Sequence, residues 1–205
     1  MARVLDERLS WAEAKLTEAQ RIALRYFRTR LKVERKPDRS PVTIADRAIE
    51  EYLRSELQRA FPGEPIVGEE FGGSPSAGAS ATHRGGSASL VGGNYWTIDP
   101  IDGTRAFSKG LPSWGMLIGW VERGTPVLGA CLYPALGVFL GVGPGTPAHE
   151  RSQGGRRIAL RRAPTPPALR DAAIFHGGVK WWLPTRYRGG FHRLVSRCFL
   201  ERAYG

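Results

Sequence analysis

At 205 residues, 41% of them hydrophobic, the chain has the apolar content to bury a core as one medium domain or two small ones, and its two cysteines, Cys131 and Cys198, form neither a disulfide framework nor a zinc spacing. The formal charge of +11 invites nucleic acid as a partner, but from Glu150 onward twelve Lys or Arg stand against three acids, and no RNP, KH or zinc-finger pattern frames Trp181-Trp182 there; a solvated Arg-rich surface is the expectation, not a nucleic-acid partner. No eighteen-residue apolar run and no signal-peptide pattern occurs, so no membrane partner is expected and a cytoplasmic location is.

Leu5, Leu9, Ala12, Leu16, Ala19, Ala23 and Phe27 recur at steps of three and four, which predicts an amphipathic helix from about Val4 to Arg30. Lys36 to Pro41 reads as a turn. Thr43 then caps a second helix whose apolar face is Ala45, Ala48, Ile49, Tyr52, Leu53, Leu57 and Phe61, and Phe61-Pro62-Gly63 ends it. A short strand at Pro65 to Val67 delivers GEEFGG, and the small, polar segment from Gly73 to Asn94 reads as a mobile loop with nothing to bury. Strands are predicted at 95–99, 114–121, 126–133 and 137–142. Helices followed by a strand series imply an α+β layered domain. The stretch GPGTPAHERSQGGRR marks a boundary, giving an N-terminal α+β domain over 1–145 and a C-terminal α/β part over 146–205, with strands at RIALRR and AAIFHGG and a helix-like end.

The chemistry concentrates in two places. Glu69 and Glu70 follow one short strand, and Asp99 and Asp102 close another, with Pro100 holding both aspartates at one bend. Two acids at such range repel unless a proton or a cation offsets the charge. Oxygen-only donors with no convergent His or Cys select a hard cation, Mg²⁺ first, and the Ile101 carbonyl is an additional donor. Asp102-Gly103-Thr104 leads into a helical turn whose free amides suit a phosphate. An EF-hand loop is excluded because Ile98 and Pro100 occupy positions it needs for acids. An aspartyl-phosphate route of the Asp-x-Asp-Gly-Thr type fails because Pro100 stands where its acid would be. Taken singly, each feature has a plainer reading: Asp-Gly as a turn, Glu69-Glu70 as a solvated pair, Thr43 to Asp46 as a capping box, Lys36 as a surface lysine.

Together, Lys36, Ser40-Pro41-Val42-Thr43 with Ala45-Asp46, Gly68-Glu69-Glu70 and Trp96 followed by Asp99-Pro100-Ile101-Asp102-Gly103-Thr104 resemble the inositol monophosphatase family of Mg²⁺-dependent, lithium-sensitive phosphatases. Within it, GEEFGG and GTRAFSKGLPSWGMLIG look most like the histidinol-phosphate phosphatase branch. The resemblance implies an α+β fold, the layered α/β/α/β sandwich of the inositol monophosphatase/fructose-1,6-bisphosphatase type with an incomplete C-terminal domain. It implies two or three Mg²⁺ ions: a first on Glu69, Asp99 and the Ile101 carbonyl, a second begun by Asp99 and Asp102, and a weaker third reached by Glu69. Asp46 and Thr104 would orient the attacking water, the Gly103 and Thr104 amides would hold the phosphate, Glu70 would support the ligands from behind, and Lys36 would act through its charge. The implied substrate is a small phosphomonoester, histidinol phosphate first and an inositol or sugar phosphate as the alternative, and the implied assembly is a homodimer. The family also supplies an aspartate from a Trp-Asp-x-Ala-Ala segment, and no Trp-Asp pair occurs in these 205 residues. That departure leaves a catalytically impaired metal- or anion-binding protein as the other expectation.

Overall fold

The computed structural model describes residues 2–30, 33–35, 41–73, 93–152 and 155–203. Helix α1, Ala2–Tyr26, forms where the three- and four-residue apolar steps predict it, and its Leu5, Leu9, Ala12, Leu16, Ala19 and Ala23 are at most 4% exposed. It stops short of Arg30 because Arg28 takes a φ of 61° and Thr29 turns back, its amide and hydroxyl both donating to the Tyr26 carbonyl. Strands β1, Glu34–Arg35, and β2, Pro41–Val42, pair antiparallel and lead into α2, Ile44–Ala60. Thr43 caps α2 by the reciprocal capping box, and Ala45, Ile49, Leu53 and Leu57 bury its apolar face.

The remaining elements of the first compact unit, Met1–Leu160, are strands β3, Ile66–Gly68, β4, Gly72–Gly73, and β5, Tyr95–Asp102; helix α3, Thr104–Ser108; and strands β6, Gly115–Glu122, β7, Thr125–Tyr133, β8, Val138–Gly143, β9, Thr146–Ser152, and β10, Ile158–Ala159. They form one eight-stranded sheet in the order β10-β9-β8-β7-β6-β5-β3-β4. All neighbours run antiparallel except β3 and β5, which are parallel. Helix α1 packs on β6, β7 and β8, and α2 packs on α1 and β5. The core between them contains Trp96, Ile98, Met116, Ile118, Trp120, Leu128, Leu132 and Phe139. Helices layered on one face of the sheet are the expected α+β arrangement.

Composition placed a boundary near residue 145, whereas the compact division falls after Leu160. The polar stretch between becomes β9 and β10 because acids on α1 receive its side chains: Thr146 Oγ1 donates to Asp6 Oδ1 at 2.7 Å, and Arg151 and Arg157 both pair with Glu13. The second unit, Arg161–Gly205, pairs β11, Ala173–His176, in parallel with β12, Leu200–Ala203, across α4, Val179–Trp182, and α5, Arg188–Val195. The helix-like C-terminal end thus divides into α5 and a strand. Trp182 stacks on Phe191 at 4.9 Å, and His176 pairs with Glu201. Among the described residues, no helix is long and apolar enough to cross a membrane. Residues 74–92, most of the segment read as a mobile loop, lie outside the described residues.

Candidate active site

The site begins with strand register. Gly68 on β3 pairs with Ile98 on β5, and the Glu69 amide donates to the Ile98 carbonyl at 3.2 Å, so Glu69 and Asp99 emerge side by side where β3 ends. Along β5, alternation buries Trp96, Ile98 and Pro100 and turns Asp99 to the other face. Strict alternation would send Asp102 to the face opposite Asp99. Instead Asp99 pairs with Leu117 but Asp102 pairs with Gly115, so three steps on β5 oppose two on β6. This β-bulge restores both acids to one face: Ile101 enters the core at 1% exposure and Asp102 faces solvent.

Behind these acids, α2 and α3 hold a hydrogen-bonded pair. Asp46 is 1% exposed; its Oδ2 accepts from the Thr43 amide at 2.8 Å and from the Thr43 hydroxyl at 2.6 Å. The Thr104 hydroxyl lies 3.4 Å from Asp46 Oδ1 and 3.1 Å from the Ile101 carbonyl, and its single proton serves one of them at a time. Gly103 makes this approach possible with a φ of 85°, and a Cβ there would sit 2.9 Å from the Ser113 carbonyl oxygen. Phe107, on α3, packs edge-on against Trp114 at 4.7 Å and fixes the short helix on the core.

Burial pushes the Asp99 carboxyl up from 3.8 to about 8, and Glu69, Asp102 and Asp46 all add to the rise. Among the described residues, its Oδ1 is buried with no hydrogen-bond partner. Asp46 is also raised, by burial first and by Glu69 last, against the lowering hydrogen bonds from Thr43. Among the described residues, no group of three or more His, Cys, Asp or Glu side chains converges closely enough to hold a metal ion as placed. The donor chemistry nevertheless fits a hard dication: carboxylates drive up one another's proton affinity, and one buried carboxylate oxygen meets no donor among the described residues.

Of the sequence-predicted residues, Glu69, Asp99, Ile101, Asp102, Gly103, Thr104 and Asp46 come together at the ends of β3, β5 and α2, while Lys36 lies outside the described residues. Glu70 enters through its backbone: its amide donates to Glu50 Oε2 at 2.7 Å. Glu50 escaped sequence reasoning because its position on α2, four residues beyond Asp46, reads as a solvated charge, yet it is fully buried. Cys131 and Tyr133 also border the acids, since Leu117 pairs with Cys131 and a Cβ at Gly115 would stand 3.2 Å from the Cys131 sulfur and 3.3 Å from the Tyr133 ring. Burial pushes the Cys131 thiol up to about 11, and Asp102 and Asp99 push it the same way, which keeps it a protonated thiol.

A sequence model of the inositol monophosphatase family matches residues 4–167. A histidinol-phosphatase from Mycobacterium tuberculosis is 34% identical over 175 residues, covering 85% of this chain and 62% of that protein. A histidinol-phosphatase from Chlorobaculum parvum is 40% identical over 121 residues, 58% of this chain and 41% of its own length. Among solved structures, an inositol monophosphatase from Zymomonas mobilis, 30% identical, superposes with a TM-score of 0.72 over 98% of this chain and 69% of that one. The chain therefore spans about three fifths of the length of the first of these relatives and two fifths of the second.

Proposed function

This chain belongs to the inositol monophosphatase family, and from that premise we propose that it is a phosphomonoesterase using Mg²⁺ to hydrolyse a small phosphate ester, L-histidinol phosphate first. The observation that carries the reading is the β5 bulge, which turns Asp99 and Asp102 to one face beside Glu69, where a buried Asp99 oxygen meets no donor among the described residues. Glu69, Asp99, Asp102 and the Ile101 carbonyl are the groups that would hold the cations. Bound Mg²⁺ supplies positive charge at the phosphoryl oxygens and makes water a nucleophile near neutral pH.

The chain's own residues do the positioning. The Gly103 and Thr104 amides hold the phosphate where α3 begins. The Thr104 hydroxyl, donating toward Asp46 Oδ1, turns an oxygen lone pair outward to accept a hydrogen bond from water and align it for in-line attack on phosphorus. Asp46 is locked by the Thr43 cap, so it fixes Thr104 rather than swinging into the site. Lys36 adds positive charge for the anionic substrate. Histidinol-phosphatase relatives at 34 and 40% identity support the substrate, while likeness to the Zymomonas inositol monophosphatase supports inositol 1-phosphate as the alternative. A homodimer is part of the same reading.

The test is phosphate release by this chain from L-histidinol phosphate and from inositol 1-phosphate across a Mg²⁺ titration. Mg²⁺-dependent turnover favouring histidinol phosphate is expected, with loss of that dependence in Asp99→Asn. Preference for inositol 1-phosphate replaces the substrate assignment, and turnover unaffected by Asp99→Asn overturns the site.

A further inference from the structure

We propose that Glu50 is a positioning residue: through a buried carboxylate it ties the turn bearing Glu69 to the helix bearing Asp46, so that both sides of the site move as one body. The proposal rests on the reading of Glu69 as a cation ligand. Glu50 is 0% exposed and lies one helical turn beyond Asp46 on α2. Its two oxygens divide their work. Oε2 accepts from the Glu70 amide at 2.7 Å, and Oε1 accepts from the Phe71 amide at 3.3 Å and from Arg54 Nε at 2.7 Å. Arg54, a further turn along α2, also donates from Nη2 to the Gly72 carbonyl. Three consecutive residues after Glu69 are therefore gripped by α2 side chains, two through amides and one through a carbonyl.

The chain sequence makes room for this grip. A Cβ at Gly68 would overlap Oε1 and Cδ of Glu50, so the position preceding Glu69 stays a glycine to admit the carboxylate. A buried carboxylate costs desolvation that a neutral residue would not, and a purely structural contact between α2 and β3 is met more simply by apolar side chains. What the ion supplies instead is orientation: charge-assisted acceptance from successive amides sets the dihedral angles of the turn and with them the direction of the Glu69 side chain. Glu70, whose side chain resemblance placed behind the ligands, thus contributes its backbone.

The experiment uses the whole 205-residue chain with Mn²⁺ alone as the probe, comparing Glu50→Gln, Glu50→Ala and Asp99→Asn. A glutamine has one acceptor oxygen where Arg54 and two amides compete, so one amide must face an NH₂ group. In the metal-free protein, Glu50→Gln should speed hydrogen exchange of the Glu70 and Phe71 amides at least about 10-fold while amides of α1, β6 and β7 exchange as before. Mn²⁺ affinity should weaken about 10-fold, and kcat on L-histidinol phosphate should fall with KM little changed. Glu50→Ala should exceed Glu50→Gln in every readout. Unchanged exchange at Glu70 and Phe71, or acceleration spread evenly over the sheet, overturns the proposal. Asp99→Asn separates the two readings: if it keeps Mn²⁺ binding, the cation site itself is wrong and exchange alone decides Glu50's hold on the turn; if it loses binding while Glu50→Gln retains full affinity, this inference alone falls.

Discussion

Replacing Asp99 by asparagine should abolish the proposed cation binding and yet stabilise the metal-free fold. In the folded chain, burial, then Glu69, Asp102 and Asp46, push the Asp99 carboxyl from 3.8 to about 8. An unfolded Asp99 releases its proton near pH 4, whereas the folded one keeps it until near pH 8. Across that window the unfolded state binds fewer protons, so this group's contribution to stability is fully present below about pH 4 and is lost as pH rises, at about 1.4 kcal/mol per unit. Between pH 4 and pH 7 the loss amounts to about 4 kcal/mol, which for a chain of this length corresponds to roughly 10 °C in Tm. Asparagine carries no such proton. In EDTA, Asp99→Asn should match the parent near pH 4 and lead it increasingly toward pH 8, by urea unfolding or calorimetry. Asp46, also raised, slopes the same way in both proteins, so the difference between the two curves reports Asp99 together with its repulsion of Glu69, Asp102 and Asp46. Mg²⁺ at one hundred times its dissociation constant should restore about 2.7 kcal/mol to the parent and none to the variant. Parallel pH curves, or a variant less stable than the parent at pH 8 without metal, would refute the electrostatic argument.

Three further perturbations probe the surrounding structure. Thr104→Val removes the hydroxyl that reaches Asp46 Oδ1 and the Ile101 carbonyl, and kcat should drop roughly 10²-fold with Mn²⁺ affinity retained; steady-state kinetics beside a Mn²⁺ titration checks both. Gly103→Ala places a Cβ 2.9 Å from the Ser113 carbonyl at a φ of 85°, and chemical denaturation should register a loss of about 1–3 kcal/mol. Arg8 donates to both Glu64 oxygens at 2.6 and 2.5 Å and lies 4.2 Å from the Trp120 ring centroid, at the end of β3 opposite Glu69. Arg8→Met should cost about 2–4 kcal/mol by leaving Glu64 with little beyond the Trp96 indole, and turnover of the folded variant should stay unchanged.

Local pattern carried much of this protein. The steps from Leu5 to Ala23 specify the buried face of α1, because helical periodicity is a property of neighbouring residues and needs no partner to be read. Thr43 and Asp46 specify the start of α2 in the same way, through the spacing of the capping box. The acids of GEEFGG and of Asp99 to Asp102 are local features too, each following or closing a strand that its own residues mark. Tertiary structure alone decided the rest. Whether Asp102 shares a face with Asp99 depends on a bulge created by cross-strand pairing with β6, which no periodicity in β5 contains. Thr104 meets Asp46 across 58 residues of chain only because α2 and α3 close on the same strand end. The stretch from Thr146 to Ser152 has the composition of a linker, and it is a strand because Asp6 and Glu13 on α1 receive its polar side chains. Glu50 shows the same limit most plainly: an ordinary helix-surface glutamate by sequence, it is buried because backbone amides from a turn twenty residues away supply the hydrogen bonds that water would otherwise make.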